Sequence, residues 1–109
     1  MRKTNINWLK KKREGLYCVP GNFFIDPVFP VEKALITHAH TDHARPNNKS
    51  IFSSKETIEL MHLRYGESYC SDFQIASFDE KIKINDVTVQ IHPAGHILGS
   101  IQFLINYNL

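Results

Sequence analysis

Apolar and polar positions divide this chain into short segments, most of them of strand length. "GLYCV" (15–19) and "FFID" (23–26) flank Pro20-Gly21, a strong turn signal, and read as a first hairpin. "KALIT" (33–37) is a compact apolar strand, "ARPNNKS" (44–50) a loop by composition, and "SIFS" (50–53) another short strand. Ser53 stands three residues before Glu56, the spacing of a capping box. Ile58, Met61, His62 and Tyr65 then recur at i, i+3, i+4 and i+7, which predicts an amphipathic helix over 54–65, ended by Gly66. "FQIASF" (73–78) follows. "KIKI" (81–84) and "VTVQIH" (87–92) alternate apolar and polar residues across Asn85-Asp86, as a tight hairpin does. "SIQFLINY" (100–107) is the last strand. The pattern stops at Leu109, in or just after that strand, with no closing helix or polar tail; this predicts a unit that is incomplete as it stands.

Composition narrows the class. The 109 residues are 42% apolar and 11% aromatic, which is ordinary for one small globular domain and unlike a disordered chain. No apolar run approaches the roughly 20 residues needed to span a bilayer. The N-terminal "MRKTNINWLKKKREG" lacks the apolar core of a secretory signal. The expected location is therefore the cytoplasm, with no membrane partner. Cys18 and Cys70 form no CxxC pair, which excludes a zinc knuckle; both are expected as free, partly buried thiols.

Charge is uneven. Residues 1–15 carry six basic side chains (Arg2, Lys3, Lys10, Lys11, Lys12, Arg13) against the single acid Glu14. A basic N-terminal arm over 1–14 is the expectation, with the domain proper over 15–109. Such a run is either a solvated arm or a patch that contacts nucleic-acid phosphates through Lys10, Lys11, Lys12 and Arg13.

The densest chemistry lies in "ALITHAHTDHARP" (34–46), where His38, His40, Asp42 and His43 fall within six positions. On a segment leaving a strand, His38 and His40 are two apart and point to the same side, so they can converge on one ion. Asp42 and His43 lie where the chain turns and can face a second. Imidazole nitrogen and carboxylate oxygen suit zinc, or else manganese or iron. The first ion needs a third ligand from elsewhere. His62 sits on the predicted helix among apolar neighbours and reads as a packing or surface residue. His92 closes a strand and reads as a bracing or structural residue. His96, in the Gly-flanked loop "HPAGHILGS", is the choice. Three histidines leave a fourth position open for water, whose pKa zinc lowers to about 7. Asp26, at the end of "FFID", is either a turn residue before Pro27 or a brace for the histidine loop that accepts a backbone or imidazole N–H; the brace is the reading favoured.

With "THAHTDH", "PAGHILGS" and a strand-ending aspartate in place, the chain resembles the metallo-β-lactamase superfamily. "GHILGS" narrows the resemblance to the β-CASP nucleases. "EGLYCVPGNFFIDPVFPVEKALITHAHTDHARP" narrows it again, to the opening of the ligase-associated DNA exonucleases, relatives of the mRNA 3′-end processing nucleases. The resemblance implies the N-terminal half of an αββα sandwich, an α/β (α+β) fold mostly β over these residues. It implies two zinc ions at the sheet edges: His38, His40 and His96 on the first, Asp42 and His43 on the second. Asp42 would also orient the attacking hydroxide during phosphodiester hydrolysis. Family members continue well beyond this length and supply a bridging aspartate, a later histidine and the β-CASP cap; none has a counterpart before Leu109, so one three-ligand zinc set is expected here.

Two readings follow. One is an enzyme: part of a zinc-dependent DNA exonuclease of DNA repair and ligation, active in longer form or with a separately encoded C-terminal half. Its partners would be DNA and a DNA ligase. The other is a catalytically inactive remnant that binds one zinc. An RNA-processing nuclease of the same superfamily shares the motif; "PAGHILGS" and "GLYCVPG" argue against a thioester hydrolase. Half of a sandwich is also expected to leave an apolar face uncovered.

Overall fold

A computed structural model describes residues 7–107. The described chain forms nine strands and one helix, in the order β1 (Leu9–Lys12), β2 (Gly15–Cys18), β3 (Phe23–Ile25), β4 (Lys33–Leu35), β5 (Ser50–Ser53), α1 (Lys55–Tyr65), β6 (Asp72–Ile75), β7 (Ile82–Ile84), β8 (Val87–Pro93) and β9 (Ile101–Tyr107). It is an α+β fold dominated by strands, as expected. Strands β1 to β6 make one sheet in sequence order, and β7-β8-β9 make a second.

The first sheet changes character midway. β1, β2 and β3 are antiparallel neighbours, whereas β3, β4, β5 and β6 run parallel. Parallel strands bring their carboxyl ends to one edge, where open sheets of this kind bind ligands. Asp26 follows β3, Thr37 and His38 follow β4, and Ser54 follows β5, so the chemistry-bearing residues gather there.

Both faces of the first sheet are covered. On one, Cys18, Phe23, Leu35 and Phe52 pack against Ile84, Val87, Val89, Ile91 and Ile101 of the second sheet. On the other, Ala34, Ile36 and Ile51 pack against Ile58 and Met61 of α1, with Ala44 and Tyr69 completing the cluster. The layers are thus helix, sheet, sheet. The period-2 alternation of β8 decides which face turns inward. The outer face of the second sheet carries Thr88, Gln90 and His92 opposite Asn106, Leu104 and Gln102. It is polar apart from Leu104, so among the described residues this face is not the uncovered apolar one expected of half a sandwich. Exposed apolar groups are scattered instead, among them Phe73 and Ile75 on the edge strand β6, Val28 and Phe29 after β3, and Leu63 and Leu98.

The two sheets are tied at both ends. Far from the carboxyl edge, the Asn85 side chain donates to the Gly21 carbonyl (2.6 Å) and Asp86 N–H to Pro20 (3.1 Å). Gly21 is needed there, because a Cβ would lie 2.3 Å from the Phe23 ring. At the carboxyl edge, Ile101 N–H donates to the Thr37 carbonyl at 2.8 Å.

Two local expectations shift. The helix N-cap is Ser54, not Ser53: the Ser54 hydroxyl accepts from Thr57 N–H (3.3 Å), while Ser53 ends β5 and donates to the Ile36 carbonyl (2.6 Å). Gly66 ends the helix at φ 82° as expected. The segment expected as a basic arm over 1–14 is, over Leu9–Lys12, the edge strand of the first sheet, paired residue by residue with β2. Trp8 and Leu9 pack onto the inter-sheet core, with the Trp8 ring 5.7 Å from Tyr107. Arg2 and Lys3 lie outside the described residues.

Tyr69 gives a test of the helix-side core. Its ring is buried against Tyr65 and His62, with only the weak Cys70 thiol beside a hydroxyl that has no well-formed hydrogen bond among the described residues. Burial pushes the phenol well above the usual tyrosine range. A raised folded pKa means this contribution to stability is full below about pH 10 and is lost above it, where the unfolded chain releases the proton first. Tyr69→Phe should therefore match or exceed the parent in thermal stability at neutral pH and decline less steeply above pH 10. A loss of more than about 1 kcal/mol at neutral pH would show that the hydroxyl is satisfied.

Candidate metal centre

The histidine loop is a turn clamped from several sides. The His40 carbonyl accepts from both His43 N–H (2.9 Å) and Ala44 N–H (2.8 Å), which folds residues 40–44 back on themselves. The end of α1 holds this turn: Arg64 donates to the Ala39 carbonyl (2.6 Å) and the Tyr65 hydroxyl to that of Ala44 (2.7 Å). Both alanines are buried, so the small residues of "HAHTDHA" are packing positions. The turn brings the His43 ring to 4.1 Å from that of His38.

His38, His40 and His96 each offer a ring nitrogen, and the three lie within 4.8 Å of one another. His96 Nε2 is 3.3 Å from His40 Nδ1. Two nitrogens at about 2.0–2.1 Å from a tetrahedral zinc stand about 3.3 Å apart, so this pair already has coordination spacing. The donor set therefore fits a metal ion. Asp42 Oδ2 lies 3.6 Å from His43 Nε2, on a side chain open to solvent.

Asp26 organises the rest. Its Oδ1 accepts from Thr37 N–H (2.8 Å); its Oδ2 accepts from the Thr37 hydroxyl (2.6 Å) and faces His43 Nδ1 (2.9 Å). The Thr37 oxygen is also 2.8 Å from His38 Nδ1. A hydroxyl has one proton. Having given it to Asp26, Thr37 must accept from His38, which fixes that proton on Nδ1 and leaves Nε2 with its lone pair. His43 likewise donates from Nδ1 to a carboxylate oxygen and keeps Nε2 free. Partial burial, and then the neighbouring His43, hold His38 below the usual imidazole range against the opposing pull of Asp26. The neutral ring a metal requires is thereby favoured.

The structure thus joins Asp26, His38, His40, His43 and His96, with Asp42 at the rim. It does not bring His92 in: that ring lies on the exposed outer face of β8, with no hydrogen bond to the cluster among the described residues. His62 is a packing residue, bonded to the Ile58 carbonyl (2.7 Å) and edge-on to Tyr69 and Phe73. Cys18 is a free thiol in the inter-sheet core, and Cys70 is also free.

What holds His96 was not visible in the motif. The Gly99 carbonyl accepts from the Ser54 hydroxyl (2.5 Å) and the Thr57 hydroxyl (3.1 Å), which anchors the His96 loop to the start of α1. Ser100 Oγ accepts from His96 N–H (3.0 Å). Gly99 has φ 81°, and a Cβ there would lie 2.6 Å from Glu56 Cβ.

No family model matches the chain. Among curated proteins, the chain is 32% identical over 101 residues to a protein of Opitutus terrae described as a probable DNA ligase. The aligned stretch is 92% of this chain and 10% of the ligase, so the chain spans about a tenth of its relative's length.

Gly99→Ala should displace His96 while leaving His38 and His40 in place. If the three rings hold an ion, the expected result is a metal affinity, titrated with zinc, lowered by about 10–100-fold, as for residues that orient ligands, with helix content retained by circular dichroism. Unchanged affinity would show that His96 does not depend on this contact.

Proposed function

We propose that this chain is the metal-binding part of a zinc-dependent phosphodiesterase acting on DNA ends, of the metallo-β-lactamase superfamily and its β-CASP nuclease branch. The observation that carries the reading is the convergence of His38, His40 and His96 beside an Asp42–His43 pair, with His43 and, through Thr37, His38 braced by Asp26. A ligase relative adds context. Joining DNA requires ends of defined chemistry, and an end-trimming hydrolase produces them; a ligase chain carrying a segment like this one suits that pairing. The position of this chain over 15–109 of a partial domain of that superfamily belongs to the same proposal.

In this reading His38, His40 and His96 hold the first zinc and leave one position open, while Asp42 and His43 begin a second site. Zinc held there makes hydroxide available near neutral pH and offsets charge on the phosphate. The chain's own work is positional. Asp26 fixes the His38 and His43 tautomers, Arg64 and Tyr65 hold the turn, and Asp42 stands at the open rim, where it can orient the attacking oxygen.

Metal analysis of the purified chain should give about one tightly bound zinc, lost in His38→Ala or His96→Ala. The cobalt-substituted chain should show tetrahedral visible bands that shift when the dinucleotide thymidylyl-thymidine is added. Unchanged metal content in both variants would sink the ligand assignment. Bands indifferent to the phosphodiester would sink the substrate class. Since Asp42 and His43 are only part of the second set that the superfamily reading requires, no hydrolysis of DNA by this chain alone is expected; chelator-sensitive degradation would overturn that half-site view.

A further inference from the structure

We infer that the β1–β2 turn is a phosphate- and base-binding track for single-stranded DNA, leading along the sheet edge to the histidine cluster. This rests on the phosphodiesterase reading for where the scissile phosphate sits. β1 is antiparallel to β2 and β2 to β3, so β1 ends at the same edge as Asp26. Lys12 and Arg13 are therefore on the metal side of the sheet.

The turn is fixed to the Asp26 segment. Val28 N–H donates to the Glu14 carbonyl at 2.7 Å. Gly15 takes φ 140°, and a Cβ there would lie 3.4 Å from the Pro27 Cα, so the turn lies flat on the residue that follows Asp26.

The cations rest on aromatic rings rather than in ion pairs. The Arg13 guanidinium sits 5.0 Å from the centre of the Phe29 ring, and Lys12 Nζ sits 4.2 Å from that of Tyr17. Among the described residues, none of Lys10, Lys11, Lys12 or Arg13 forms an ion pair; the carboxylates that pair are Asp26, Glu32, Asp42 and Glu59. Aromatic contact orients a cation while leaving its N–H donors for phosphate. Phe29 is 46% exposed and offers a surface on which a base can stack, the device of sequence-tolerant single-strand binders.

Spacing agrees with a short track. β1 and β4 are three strand intervals apart, about 14 Å. That is about four nucleotides of stacked strand at ~3.4 Å each, and fewer if the strand is extended.

The test is fluorescence anisotropy of labelled oligothymidylate of about ten nucleotides, within single-strand site sizes, with the zinc-loaded chain across a salt series. Removing one cation that neutralises a phosphate should reduce the slope of log affinity against log salt by about 0.7. The Lys12→Ala/Arg13→Ala double variant should bind more weakly with a slope smaller by about 1.4. Phe29→Ala should weaken binding with the slope unchanged, and Arg13→Lys should keep the slope. A Lys55→Ala/Lys81→Ala control should match the parent. Equal effects in the control, equal binding of duplex of the same length, or no binding by the parent would overturn the track. Zinc content measured on the same samples keeps the two ideas apart: a failed ligand assignment shows there, a failed track only in the slopes.

Discussion

One carboxylate carries the arrangement. Asp26 receives Thr37 N–H and the Thr37 hydroxyl and faces His43 Nδ1, while its own N–H donates to the Leu35 carbonyl at 2.9 Å. It joins the end of β3 to the end of β4 by backbone and side chain together. It does so at φ 46°, a left-handed conformation that aspartate tolerates better than most residues. Hydrogen bonds to a charged group are worth about 1.5–3 kcal/mol each. An asparagine would not substitute: it has one acceptor oxygen, and both Asp26 oxygens accept.

How much of this was legible follows from sequence distance. His38, His40, Asp42 and His43 were visible because they are contiguous, and strand alternation placed most of the elements. Asp26 was half legible, as a strand-ending acid before proline. Gly99, Ser54 and Thr57 were not, since their hydrogen bonds span 42 and 45 residues and no local pattern encodes them. The cap moved from Ser53 to Ser54 although only Ser53 has a glutamate three residues on: the carbonyl of Ile36, brought alongside by the parallel pairing of β4 and β5, claimed the Ser53 hydroxyl and left the cap to its neighbour.

His92 is instructive because the signal was present. In "VTVQIH" the buried residues are Val87, Val89 and Ile91, so the alternation itself sends His92 outward. The basic run is the reverse case. "LKKK" has no alternation to read, and its place in the sheet comes from the partner strand, which pairs Leu9 with Cys18 and leaves the lysines on exposed positions.

The three clustered histidines His38, His40 and His96 do not share a layer. His38 and His40 leave the first sheet, whereas His96 rides on the turn between β8 and β9 of the second, 56 residues from His40. An ion bound by all three therefore spans the sandwich interface. In the unfolded chain the same ligands belong to a long open loop, whose closure costs entropy that grows as about 1.5RT ln n. Binding confined to the folded state stabilises it by RT ln(1 + [metal]/Kd). The core between the sheets sets the spacing of these rings, and an ion held by them would in turn reinforce that core. Metal affinity and inter-sheet packing would then be one coupled property: loosening Phe52 against Phe103, rings 6.2 Å apart in the interface, would weaken binding by the three histidines.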